Sequence, residues 1–190
     1  TLVVFSSDHG EELFDHGRNE HGQTLYEEVL RTPLVLRLPS LLPAGRKVHH
    51  PVEMVDLLPT VLELLDLPPL AGVHGRSLFP VVYGRTPQEP DYVIAETGGL
   101  SLRLGPHKLV RLETELRLFD LRTDPGERSN LIAPRAVTTR ALEVRLGEAL
   151  AAPHKDRRLT GMGGLRSPTA VAPVLKPELL RQLRSLGYIQ

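Results

Sequence analysis

The sequence contains no cysteine in its 190 residues. This absence excludes a disulfide framework, a zinc site built from cysteine and a thiol nucleophile within these residues. Any metal ion bound here must therefore be held by oxygen atoms and imidazole nitrogens.

The sequence also lacks an excess of charge of either sign, because 23 Lys and Arg residues balance 23 Asp and Glu residues. No net field draws the chain towards nucleic acid or an anionic membrane, and we expect neither as a partner. Charges or prolines interrupt every apolar run before the roughly 20 residues that a membrane-spanning helix needs. Because 41% of the residues are hydrophobic, the sequence predicts a globular protein with a sizeable core.

The first residues resemble the body of a strand rather than the start of a protein. Residues 1–5 are apolar or β-branched and do not alternate with polar residues, which predicts a strand covered on both faces in a parallel α/β sheet. They have neither the charged lead nor the apolar stretch of a signal peptide. We therefore expect that the chain begins inside a longer protein.

The remaining patterns predict three regions. Within residues 1–90, a Thr24/Glu27 capping box predicts a helix to about Arg31, residues 34–38 predict a strand, and Asp56 is expected to cap a helix with Pro59 in its first turn. Residues 91–150 predict a small antiparallel sheet, with strands at 92–95, 101–104, 108–112 and 116–121, and a helix at 135–150. Residues 151–190 predict an irregular tail with a helix at 178–186.

The polar run that follows the first strand contains the candidate functional residues. Asp8 and His9 leave the strand side by side before Gly10, and a turn there would direct both towards one metal ion. His21 lies at the far end of the same run, where it could bind an oxyanion on that metal. An Asp-His pair after a strand is, however, more often a turn with a solvated histidine.

Simpler interpretations also apply to the other polar residues. Glu11 and Glu12 are typical of solvated charges in a first helical turn. The other histidines show no partner pattern, and we expect them to be structural or exposed: His16, His49, His50, His74, His107 and His154.

Several blocks, taken together in their order along the chain, nevertheless resemble the sulfatase family of the alkaline-phosphatase superfamily. The first blocks are VVFSSDHGE at 3–11, HGQTLYEE at 21–28 and RTPL at 31–34. Further blocks lie at 55–62, 75–78, 95–97, 108–110, 118–121, 124–127, 130–131 and 183–188. The resemblance implies the C-terminal part of an α/β fold with a doubly wound, mainly parallel sheet, followed by a small antiparallel sheet-and-helix subdomain.

The same resemblance implies roles for the candidate residues. Asp8 and His9 correspond to ligands of a divalent metal, for which Ca²⁺ is the usual sulfatase ion and Zn²⁺, Mn²⁺ or Mg²⁺ are alternatives. His21 corresponds to a residue that contacts the sulfate oxygens. The family nucleophile is a formylglycine made in a Cys/Ser-X-Pro/Ala-X-Arg motif, which no stretch of this chain matches. The resemblance thus predicts a sulfatase fragment that is inactive alone and is completed by an N-terminal half.

Three functions stay open at this point. The first is hydrolysis of a sulfate ester of a small molecule or carbohydrate by the longer protein. The second is phosphoethanolamine or phosphoryl transfer at the same site, and the third is a non-catalytic sulfatase-like binding module. Relatives are often exported or membrane-anchored through an amino-terminal segment, so the location is left open between periplasm, cell exterior and membrane.

Overall fold

The computed structural model describes residues 1–85, 92–112 and 115–151. The tail predicted at 151–190 and its helix at 178–186 lie outside the described residues, apart from Ala151, which ends the last described helix. No helix within the described ranges has both the length and the apolar character that a membrane crossing requires.

The described residues form eight strands, four α-helices and one 3₁₀ turn. In chain order they are β1 Val3–Ser6, β2 Glu12–Leu13, β3 Asn19–Glu20, α1 Glu27–Leu30, β4 Leu34–Arg37, the 3₁₀ turn Met54–Asp56, α2 Leu57–Leu64, α3 Phe79–Val82, β5 Tyr92–Glu96, β6 Gly99–Leu104, β7 His107–Leu112, β8 Glu115–Asp120 and α4 Ala136–Ala151.

Strand β1 pairs with β4 in an antiparallel ladder in which Val3 lies opposite Arg37 and Ser6 opposite Leu34. The expected burial of both faces is not found among the described residues. Phe5 is 61% exposed and Val35 is 55% exposed. The apolar composition of this pair is therefore not matched by apolar neighbours within the described part of the chain.

The predicted antiparallel sheet is present, with strands in the order β5-β6-β7-β8. Its first two joints are tight turns in which Gly98 and Gly105 have φ angles of 52° and 57°, a region that glycine enters without strain. Helix α4 packs on one face of the sheet through a core made of Leu102, Leu109, Leu118, Leu142 and Leu146.

The opposite face of this sheet packs against the segment that leads into α1. Val110 and Phe119 form a buried cluster there with Leu25 and Tyr26. Because neighbouring strand residues point to opposite faces, Val110 faces this segment while Leu109 faces α4. The sheet thus anchors the polar run that carries the candidate site.

The predicted capping box at the start of α1 is wrong. Helix α1 begins at Glu27, its N-cap position is Tyr26, and no side chain caps it. Thr24 is 2% exposed, and its hydroxyl has no hydrogen-bond partner among the described residues. The Glu27 carboxylate cannot complete a capping box because it is bound by cations of the antiparallel sheet.

Those cations centre on Lys108, whose side chain is 1% exposed. Its Nζ lies 2.9 Å from Oε1 of Glu27 and 2.9 Å from Oε1 of Glu127. The second Glu127 oxygen accepts the backbone N–H of Glu27 at 2.6 Å. Arg103 reaches the other Glu27 oxygen at 3.3 Å. One buried ammonium therefore joins α1, β7 and the turn after β8.

The turn after β8 places Glu127 in this interior position. Asp124 accepts the backbone N–H groups of Arg128 and Ser129, at 3.1 and 2.8 Å. Glu127 itself has a φ of 51°. Burial raises the pKa of the Glu127 carboxyl, and the Lys108 ammonium opposes that rise.

Asp56 has a different role from the predicted cap of α2. It occupies the N-cap position, but its side chain makes no capping bond to α2. Its carboxylate instead accepts the backbone N–H of Glu53 at 3.0 Å and that of Arg76 at 2.9 Å. The side chain therefore ties the residue 75–78 segment to the start of α2.

Gly10 places the polar run directly against α1. Its N–H donates to the Val29 carbonyl at 2.7 Å, and the Glu11 N–H donates to the Glu28 carbonyl at 3.1 Å. A Cβ on Gly10 would lie 2.0 Å from the Glu28 carbonyl oxygen. Glycine is therefore required here by close backbone approach rather than by an unusual φ angle.

We expect Lys108→Met to lower the free energy of unfolding by about 3–5 kcal/mol, because it leaves two carboxylates facing each other in the interior. Denaturant titration followed by circular dichroism measures the change. Glu127→Gln added to Lys108→Met should restore part of the loss. The exposed Lys47→Met should stay within about 0.5 kcal/mol of the parent. Equal effects at both lysines would contradict the assignment.

We expect Gly10→Ala to destabilise the protein by about 2–3 kcal/mol, because the added methyl group meets backbone that cannot rotate away. Gly147→Ala is the matched control, since its Cβ would meet nothing within 4 Å in α4. That change should raise stability by about 0.5–1 kcal/mol. The same denaturant titration compares them, and a neutral Gly10→Ala variant would exclude the close approach.

Candidate metal and oxyanion site

The candidate residues lie on the loop that runs from β1 to α1. Within this loop, β2 and β3 pair antiparallel with Glu12 opposite Glu20. The same register continued by one residue sets Glu11 opposite His21. The hairpin therefore returns the chain so that His21 lies beside the residues that leave β1.

Asp8 and His9 are neighbours in space as well as in sequence. Asp8 Oδ1 accepts the backbone N–H of His9 at 3.0 Å, and Asp8 Oδ2 lies 3.8 Å from His9 Nε2. The Asp8 side chain is 86% exposed and that of His9 is 40% exposed. Both side chains are thus open to solvent.

The His9 ring has a defined tautomer. Its Nδ1 lies 2.8 Å from the Gly10 carbonyl oxygen, which can only accept a hydrogen bond. A proton on Nδ1 leaves the lone pair of a neutral ring on Nε2. A backbone carbonyl behind the ring is the usual partner of a histidine that binds metal through its other nitrogen.

His21 joins this pair through its ring and through Glu11. The His9 and His21 rings stack with centroids 3.9 Å apart and planes inclined by 23°. His21 Nδ1 lies 3.3 Å from both carboxylate oxygens of Glu11. Each of His9, Glu11 and His21 offers one ligand atom within 4.8 Å of the others, and Asp8 lies outside that group.

The structure therefore brings His9 and His21 together, with Asp8 beside His9, and adds Glu11. The expectation of solvated charges in a first helical turn is wrong for Glu12, which lies in β2 and is fully buried. Glu11 is partly exposed but faces His21. The alternation of faces along a strand separates these two neighbours, and only the hairpin register identifies their partners.

The donor set of this site fits a divalent cation. Two ligand atoms 3.8 Å apart can contact one ion at about 2.0–2.6 Å, the range of metal–nitrogen and metal–oxygen bonds. Exposed carboxylate and imidazole groups leave room for further ligands. Complete coordination takes four or more ligands, so Asp8 and His9 account for only part of such a site.

The chain is similar in sequence to known sulfatases. The family model described as Sulfatase matches residues 1–67, which include Asp8, His9 and His21. Arylsulfatase K from Gallus gallus is 27% identical over 161 residues, covering 75% of this chain and 30% of that protein. YidJ from Escherichia coli strain K12, described as an uncharacterized sulfatase, is 33% identical over 147 residues, covering 70% of this chain and 28% of that protein.

A solved structure shares the fold. BT4656, determined in complex with its substrate D-glucosamine-2-N,6-O-disulfate, superposes with a TM-score of 0.70 and 26% sequence identity, over 82% of this chain and 35% of that chain. The superposition confirms the predicted α/β class with its antiparallel subdomain. This chain thus spans about a third of the length of these proteins. Taken together, the ordered sequence blocks, the fold and these matches show that the chain belongs to the sulfatase superfamily.

Proposed function

We propose that this chain contributes part of a metal site and an oxyanion-binding residue to the hydrolysis of sulfate esters. The observation that carries the proposal is the grouping of His9 and His21 with carboxylates on both sides of the histidine stack. Asp8 lies beside His9, and Glu11 faces His21. In the proposal Asp8 and His9 are ligands of a divalent ion, and His21 binds the sulfate.

Asp8 and His9 suit the ligand role for different reasons. Asp8 supplies an anionic oxygen, while the Gly10 carbonyl keeps the His9 proton on Nδ1 and its lone pair on Nε2. A divalent ion bound there would supply charge stabilisation to an activated nucleophile and to the sulfate oxygens. Oxygen ligands favour Ca²⁺ or Mg²⁺, whereas an imidazole also suits Zn²⁺ or Mn²⁺. Calcium is our first choice because it is the usual sulfatase ion.

His21 suits the oxyanion role because Glu11 holds its ring. A proton on Nδ1 is shared with the Glu11 carboxylate, so Nε2 is the nitrogen that meets the substrate. When Nε2 also carries a proton, the ring presents a charged donor to a sulfate oxygen. The stack places the His21 ring beside the ring of the proposed ligand His9, with centroids 3.9 Å apart.

The proposal assigns the remaining machinery to residues outside this sequence. The proposal assigns two ligands and one oxyanion donor to this chain, and no stretch of it matches the formylglycine motif. The chain also spans about 30% of the curated relatives. We infer that the nucleophile and the other ligands belong to an N-terminal part of a longer protein, and that these 190 residues alone are inactive.

The substrate class proposed is a sulfated carbohydrate or another small sulfate ester. Support comes from BT4656, whose structure was determined with a disulfated glucosamine as its substrate. Arylsulfatase K is a second match whose name describes sulfatase activity. The binding of the alcohol portion depends on pocket loops, and fold similarity does not define them.

We expect Asp8→Asn in the full-length protein to reduce kcat for a sulfate ester by about 1000-fold. Loss of a metal ligand removes several kcal/mol of charge stabilisation, at about 1.4 kcal/mol for each tenfold change. The change in kcat is measured from the steady-state hydrolysis of 4-nitrophenyl sulfate. The exposed Asp66→Asn keeps the charge change away from the site and should leave kcat unchanged.

Unchanged activity in Asp8→Asn would remove Asp8 from the metal site. A parent protein that hydrolyses 4-nitrophenyl phosphate much faster than the sulfate would favour phosphoryl transfer instead. Absence of turnover for both esters, together with absence of metal binding, would favour a non-catalytic module.

We expect His21→Gln to lower kcat by about 100-fold, because one oxyanion donor is lost. The bound metal content, measured by elemental analysis, should stay at the parent value. This second measurement separates an oxyanion donor from a metal ligand, since His21 lies within ligand distance of His9. Loss of the metal in His21→Gln would reassign His21 as a ligand.

A further inference from the structure

A second cluster of potential ligands lies on the other face of β2. Glu12 is 0% exposed, and both of its carboxylate oxygens lack a hydrogen-bond partner among the described residues. Glu12, His16 and Glu28 each offer one ligand atom within 4.8 Å of the others. A buried carboxylate without partners is costly, because its charge has lost its water shell. A cation bound by the cluster would compensate the charge of Glu12.

Backbone geometry holds this cluster together. The hydrogen bonds from Gly10 to Val29 and from Glu11 to Glu28 fasten the start of β2 to α1. Glu28 lies on α1, and His16 lies in the turn between β2 and β3. Glu12 and His16 thus come from the loop, and Glu28 comes from the helix against which the loop packs.

His16 is fixed by contacts on both of its ring nitrogens. Its Nε2 lies 3.4 Å from the Glu127 carbonyl oxygen, and its Nδ1 lies 2.5 Å from Oε1 of Glu28. At this distance Nδ1 donates its proton to the Glu28 carboxylate, so a cation would gain the Nδ1 lone pair only by displacing that proton. The ring also stacks on Tyr26 with centroids 3.6 Å apart and planes inclined by 6°. Arg117 in turn donates a hydrogen bond to the Tyr26 hydroxyl.

We propose that Glu12, His16 and Glu28 form a second divalent-metal site, separate from the one at Asp8 and His9. One imidazole and two carboxylates suit Zn²⁺ or Mn²⁺ better than Ca²⁺, which favours an all-oxygen shell. Tetrahedral Zn²⁺ ligands lie about 3.3 Å apart, given bonds of about 2.0–2.1 Å. The His16–Glu28 contact must therefore open by about 0.8 Å on binding.

Of the three residues in the cluster, His16 lines a cavity. A cavity of about 540 Å³ is lined by His16, Tyr26 and Glu127, among other residues. The cavity reaches His16, whereas Glu12 and Glu28 do not line it. Bound by the cluster, the cation neutralises Glu12 and ties β2 to α1, and so holds the loop whose opposite face carries Glu11 and His21.

The test measures metal bound to the full-length protein after dialysis against Zn²⁺ alone. We expect Glu12→Gln and His16→Gln each to bind one equivalent less than the parent, by elemental analysis and calorimetry. Glu63→Gln removes an exposed carboxylate on α2 and should bind the parent amount. Added Zn²⁺ should raise the Tm of the parent by more than that of Glu12→Gln.

Unchanged stoichiometry in Glu12→Gln and His16→Gln would overturn the proposal. Glu12→Gln keeps the shape of the side chain and removes an unpaired charge, so circular dichroism should show a folded protein. If that variant fails to fold, His16→Gln gives the same readout. The double variant Asp8→Asn/Glu12→Gln should bind one equivalent of metal less than Asp8→Asn alone. This difference tests the second site even if the proposed sulfatase function fails.

Discussion

The buried ammonium of Lys108 is the constraint on which the arrangement of the described residues depends. It binds Glu27 at the start of α1 and Glu127 in the turn after β8, each at 2.9 Å. A buried ion pair contributes little net stability, but removing one partner leaves a bare charge in the interior. The pair therefore selects one position of α1 on the antiparallel sheet. Tyr26 and Phe119 add an apolar contact between the same two elements, with ring centroids 6.1 Å apart.

Backbone hydrogen bonds connect α1 to the loop that carries the candidate sites. Glu28 and Val29 accept hydrogen bonds from Glu11 and Gly10, so the loop after β1 follows the helix. That loop carries one cluster on each face of β2, one around His9 and His21 and one around His16. A substitution at Lys108 should therefore change the positions of the side chains on this loop. The antiparallel subdomain thus supports the site although it contributes no residue to the proposed Asp8 and His9 metal centre.

Local patterns predicted the antiparallel subdomain well, because each strand and turn depends on residues close in sequence. Strands β5 to β8 and helix α4 lie within a few residues of their predicted bounds, and glycines form their first two joints. The Thr24/Glu27 capping box failed for the opposite reason. Its Glu27 side chain is bound by the buried Lys108, a partner that lies 81 residues away in sequence.

Sequence alone determined the donor chemistry and the order of the blocks. The lack of cysteine limits any ligand set to carboxylate oxygens and imidazole nitrogens, and the Asp8–His9 pair follows a strand in the pattern of a sulfatase. Tertiary structure alone decided which residues join each of the two clusters on this loop. The hairpin register sets Glu11 beside His21, whereas packing against α1 buries Glu12 near His16 and Glu28. Neighbours in a strand differ in fate because burial depends on what packs on each face, which local sequence does not encode.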